Sequence, residues 1–169
     1  MTIKAVMREK SINFLDTTPS EGTNKWALMN KGIESASVAY NPTVNTRHYI
    51  ADEGPTSTTT AFDKQLDVTQ FAYEGDATFD YVDDLFYNDA KGSDAESNIL
   101  QVFMYRKQVG GAYQAKLSKC SIQLGEHGGD GGDQLQLAYN VAFNSSAVQG
   151  TVVITEGVPV FTATPPAGE

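Results

Sequence analysis

GEHGGDGGDQLQLAYNVAF, Gly125 to Phe143, decides how this chain is read. Gly128 to Asp133 holds four glycines and two aspartates, a composition that suits neither helix nor regular strand. Glycine supplies positive φ, and Asp bonds its own backbone in turns. The segment after the turn alternates cleanly. From Gln134 to Asn144 the odd positions are Leu135, Leu137, Tyr139, Val141 and Phe143, all apolar. The even positions are Gln, Ala or Asn and never charged. Period-two alternation buries one face of a strand and leaves the other wet. A glycine-aspartate turn feeding such a strand suits an all-β domain, sandwich or barrel.

The rest of the chain agrees. Ser11–Asp16 reads as a short strand, 17–24 as a loop, and 25–40 as strand broken near Asn30–Gly32. Arg47–Ile50 reads as a short strand and 51–60, with Gly54 and Pro55, as the polar tip of a long excursion over 41–60. Ala61–Tyr73 is a strand with Leu66 and Val68 inside and Asp63, Gln65, Asp67 and Thr69 on the wet side. One helix is expected over about 76–90, because Phe79, Val82 and Phe86 recur at helical spacing beside Leu85. Asp76 suits its N-cap and Gly92 its end. Asn98–Lys107 is apolar on nearly both faces, as in a strand covered on both sides. Gly110-Gly111 marks a hairpin turn. In its partner strand the apolar parity switches between Leu117 and Cys120, which predicts a bulge near Ser118. Gly150–Phe161 reads as a last strand. One domain over 1–162 with a flexible tail at 163–169 accounts for the 169 residues.

Charge and residue usage exclude several classes. A net charge of −9 argues against a surface that grips nucleic acid by neutralising phosphates. Cys120 is the sole cysteine, so neither an internal disulfide nor a cysteine cluster for zinc is available. The start, MTIKAVMREKSINF, lacks a secretory apolar core, and no stretch approaches a membrane span, so a soluble protein made in the cytoplasm is expected. GGDGGD resembles one unit of a calcium-binding repeat, but such sites need stacked copies, so it reads as a turn. His48 and His127 share no motif spacing and read as surface or interface residues. Asp76, Asp80, Asp83 and Asp84 read as a solvated helix face. No nucleophile elbow, phosphate loop or zinc spacing is present, so no catalytic residue, metal or cofactor is expected.

Four stretches in this order resemble the major tail tube proteins of long-tailed bacteriophages, particularly those of Gram-positive hosts and related prophages. They are AYNPTVNTRHYIADE (39–53), YEGDATFDYVDDL with GSDAESNIL (73–100), GEHGGDGGDQLQLAYNVAF (125–143) and VQGTV (148–152). The resemblance spans about Lys31 to Val152. It departs at Gly125–His127, where the family often carries a hydrophobic or acidic residue, and the first thirty residues match nothing in it.

The resemblance implies two antiparallel sheets packed across each other as an orthogonal sandwich or barrel, with one flanking helix. It also implies hexameric rings stacked into a tube in the virion tail. Such a tube encloses the tape measure protein during assembly, conducts double-stranded DNA without binding it specifically, and meets tail terminator and distal tail proteins at its ends. The excursion over 41–60 then becomes an inter-subunit stacking loop, with Asn41, Pro42, Tyr49, Ile50, Asp52, Glu53, Gly54 and Pro55 as contact candidates. Asp63 and Asp67 become lumen candidates. Two other readings remain open: a tube protein of a phage-derived bacteriocin or injection particle, and a receptor- or carbohydrate-binding β-sandwich.

Overall fold

β8, Tyr113–Gly128, is the longest strand at 16 residues and organises the molecule. In the computed structural model, which describes residues 3–107 and 110–165, every strand pairing is antiparallel. One edge of β8 pairs with β7, Glu96–Lys107. The other edge is shared. Its first half pairs with β10, Val148–Thr155, and its second half with β9, Gln136–Phe143. The sheet therefore forks.

The remaining strands extend this fork. They are β1 (Ser11–Asp16), β2 (Trp26–Leu28), β3 (Ile33–Ala39), β6 (Gln65–Phe71) and β11 (Val158–Ala163). The main path runs β2-β1-β7-β8-β9-β6-β3, with β11 beyond β10, giving nine strands. β4, Pro42–Arg47, and β5, Thr56–Phe62, form a separate two-stranded sheet. The mainly β fold with two antiparallel sheets and one helix is as expected, but the sheets are very unequal, and the large one curls.

Chain connectivity forces the curl. β2 and β3 lie at opposite ends of the strand path, yet only 29–32 joins them. The end strands must therefore approach each other. Arg8 Nη2, just before β1, donates to the Ala36 carbonyl of β3 at 2.9 Å, across the gap. Inside the curl lies the larger core: Leu15, Leu66, Val68, Ile99, Ile122, Leu137 and Val141. The helix α1, Ala77–Tyr87, covers it with Phe79, Val82 and Leu85. Asp76 caps the helix, accepting from the Phe79 amide at 2.9 Å.

A second core, Phe14, Leu100, Val102, Ala115 and Val152, lies on the other side of β1, β7 and β8. β10 and β11 cover it with Val152, Ile154 and Phe161. This corrects the expected bulge at Ser118. The β7–β8 register runs unbroken from Glu96↔Ser121 to Phe103↔Gln114. Apolar parity switches because β8 serves the second core with Ala115 and Leu117, then the first with Cys120 and Ile122. The irregularity on the β9 side lies instead at Leu124/Glu126. There a Cβ on Gly125 would meet the Ala138 carbonyl oxygen at 2.7 Å, so only glycine lets the backbones approach.

Other boundaries differ as well. Gly125–His127 belong to β8, and the glycine turn starts only after Gly128. β9 starts at Gln136, although the Ala72 amide still donates to the Leu135 carbonyl at 2.8 Å in the same register. Residues 150–161 form a hairpin, β10–β11, turning at Glu156 and Gly157 with φ of 52° and 81°. Ala163 still pairs with Gly150, so the expected tail shortens at its start, and 166–169 lie outside the described residues. Asp16 pins the loop after β1. Its buried carboxylate accepts from the amides of Thr18 and Lys25 and from Asn98 Nδ2, each at 3.1 Å.

Candidate functional site

The excursion over 41–60 is a β-hairpin rather than a loop. β4 and β5 pair from Pro42↔Phe62 to Arg47↔Thr56, with a shift at Thr43/Val44. Arg47 ends β4, so the expected strand Arg47–Ile50 does not form, and the turn occupies 48–55. Threonine-rich β5 favours extended backbone through β-branching. Thr46 and Ser57 hydroxyls meet at 3.0 Å, and Thr60 Oγ1 donates to the Thr43 carbonyl at 3.1 Å.

The base of this hairpin is clasped. Asn41, at φ 41°, donates from Nδ2 to the Asp63 carbonyl at 3.0 Å, and the Asp63 amide returns a bond to the Asn41 carbonyl. Tyr40 and Phe62 stack edge-on at 5.5 Å, with the Lys64 ammonium over the Tyr40 ring. Beyond the base, every residue of both strands is exposed. Tyr49 is half exposed, beside Asn45, Arg47 and Thr56 of the hairpin, and Ile50 is fully exposed. Asp52, Glu53, Gly54 and Pro55 share the same exposed turn. The stacking-loop candidates thus divide between the two ends of the hairpin, with Asn41 and Pro42 at the clasp and the other six at the tip.

The lumen candidates separate. The expected strand Ala61–Tyr73 breaks after Phe62, leaving Asp63 in the turn before β6. Asp67 alone points out from β6, between buried Leu66 and Val68. Its Oδ1 accepts from Gln65 Nε2 at 3.1 Å and, with the amide turned to satisfy both groups, from Asn140 at 3.0 Å.

Around Asp67 extends an outward face built by register from four strands. β3 gives Ser35 and Ser37, β6 gives Gln65 and Thr69, β9 gives Ala138 and Asn140, and β8 gives Ser121, Gln123 and Glu126. Small polar side chains dominate it. Its carboxylates are Asp67 and Glu126, and from Ser121 to Glu126 it carries no Lys or Arg; Lys119 marks its border with the second core. Glu126 escaped the sequence reading because the Gly125 bulge shifts it onto this face. A better signal was available in the uncharged even positions from Gln134 onward.

Elsewhere the side chains are structural. His127 Nε2 lies 3.2 Å from Asp83 Oδ1 and its ring packs near Phe86, tying α1 to the end of β8. Burial pushes the Cys120 thiol up to about 12, with the Asp16 charge a lesser cause. Burial likewise raises Tyr139, whose hydroxyl donates to Gln70 Oε1 at 2.9 Å. Among the described residues no three His, Cys, Asp or Glu converge as metal ligands, and no helix is long and apolar enough to cross a membrane.

Comparison with solved structures gives a match to the SPP1 tail tube: TM-score 0.62, 11% identity, covering 86% of this chain and 78% of that one. The chain shares its fold with that tail tube structure. The anti-feeding prophage baseplate also aligns, at TM-score 0.48 and 8% identity over 89% of this chain and 97% of that one. No protein-family model and no curated protein matches the sequence.

Proposed function

We propose that the chain is a virion structural protein that assembles as stacked hexameric rings into the tail tube of a long-tailed phage or prophage. The observation that carries this reading is the fold shared with the SPP1 tail tube. Two features of the chain support it. The β4–β5 hairpin has no buried residue and presents Tyr49 and Ile50 to solvent, which suits a segment completed by another copy. The outward face around Asp67 offers carboxylates and small polar groups to a conduit. Between Ser121 and Glu126 passing DNA then meets no Lys or Arg that would hold it through counterion release.

In this assignment Asp67 and Glu126 border the lumen, and Asp63 belongs to the clasp of the stacking hairpin. The tube encloses the tape measure protein and meets terminator and distal tail proteins at its ends. A two-residue Asn-Gly turn in place of residues 48–55 tests the hairpin's role. It closes the same Arg47↔Thr56 pair with a favoured geometry. Unchanged circular dichroism with loss of stacked species in sedimentation is expected. Wild-type assembly by this variant contradicts the role.

A further inference from the structure

The charges of this chain are segregated. No Lys or Arg occurs after Lys119 in the sequence. Where β8 and β6 end, the glycine turn and the start of α1 meet, held by the Ala72 amide on the Leu135 carbonyl and by the His127–Asp83 contact. Glu74, Asp80, Asp83, Glu126, Asp130 and Asp133 gather there. Lys31 is the one cation beside them among the described residues, over the Tyr73 ring at 4.7 Å.

The opposite end of β8 is basic. Ser11 pairs with Phe103 and Phe103 with Gln114, which places Lys10, Arg106 and Lys116 at this end, with Arg8 beside them on the Ser11 and Ala36 carbonyls. Its carboxylates are Glu9, paired with Lys10 at 3.5 Å, and Glu156 in the β10–β11 turn. Ten residues of strand separate Lys116 from Glu126, about 33 Å at the usual rise. The two ends are therefore too far apart to neutralise each other within one copy. Among the described residues the only ion pairs are Lys10–Glu9 and His127–Asp83. The carboxylates do not converge on a metal position either. The β4–β5 hairpin leaves β3 and β6 at the ends of those strands away from the acidic turn.

We propose that copies join end to end through this polarity, the basic end of one copy seated on the acidic end of the next. The proposal rests on the tube reading and names the surfaces that meet along its axis. A second copy suits both surfaces at once. Double-stranded DNA suits only the basic one, and a chain of net charge −9 repels it overall.

The test uses the full chain and two variants, Arg106→Glu/Lys116→Glu and Asp130→Lys/Asp133→Lys, all at exposed or half-exposed positions and each checked for a wild-type melting curve. Wild type is expected to assemble at 50 mM NaCl with a critical concentration about tenfold lower than at 500 mM, where screening shortens charge contacts. Each variant alone is expected to need about tenfold more protein, because one of its ends now repels. An equal mixture is expected to return to within about twofold of wild type, since the reversed ends complement each other. Wild-type tubes indifferent to salt, or variants that assemble normally or are not rescued by mixing, overturn the proposal and leave the tube reading standing. Variants that lose only retention of a DNA duplex overturn it too. A wild-type chain monomeric at every salt concentration overturns both.

Discussion

β7 and the β4–β5 hairpin are built from similar lengths of extended chain but sit in opposite environments. β7 lies mid-sheet with both faces covered: Ile99 faces the core under α1, while Leu100 and Val102 face the core under β10, all three fully buried. The hairpin buries nothing. Stability therefore concentrates where two cores share one sheet, and the hairpin contributes surface. An isolated two-stranded hairpin is marginal in water, so its persistence rests on the Asn41–Asp63 clasp and threonine contacts.

This contrast yields an ordered set of tests. Leu100→Ala opens a cavity in the second core and is expected to cost about 3 kcal/mol in urea unfolding, within the usual range for such truncations. A loss below about 1 kcal/mol breaks the claim that β7 is covered on both sides. Tyr139→Phe is expected to cost about 1–2 kcal/mol, because Gln70 Oε1 is left buried without a donor. Gln70 keeps its bonds to the Lys31 carbonyl and Asp76, so the domain should still fold.

A pH-dependent effect comes from Cys120. Its thiol is raised from 9.0 to about 12, so the folded state favours the protonated form. The unfolded chain releases that proton first as pH rises. This contribution is complete below pH 9 and is lost progressively toward pH 12. Urea midpoints should fall over that window, and less steeply in Cys120→Ala. Equal slopes in the two proteins mean that the thiol has no part in the loss. Smallest of all is the Asn-Gly replacement of 48–55, expected to change monomer stability by less than about 0.5 kcal/mol. A larger loss means that the hairpin packs on its own domain.

How far the sequence could be read divides along the same line. Strand β1, the capped helix and the two-faced character of β7 were legible because each depends on local pattern: Ser11–Asp16 bounded by a loop, Asp76 before Phe79, and consecutive apolar residues at 99 and 100. The parity switch in β8 was legible too, but its cause was not. A bulge and a change of core leave the same trace in one strand, and only the β7 register separates them. The hairpin was hidden because its alternation carries no burial. Thr56 to Thr60 has high β-propensity but reads as polar loop when no apolar face is present. Asp63 was misplaced for a related reason. Nothing in 61–73 marks the break at Asp63-Lys64, which is made by a long-range bond to Asn41.

Negative-stain electron microscopy of the purified full chain tests the central claim most directly. Rings and stacked tubes with a central hole and six-fold end views are expected at low salt. A concentrated sample of dispersed monomers, with neither rings nor tubes, would contradict the claim.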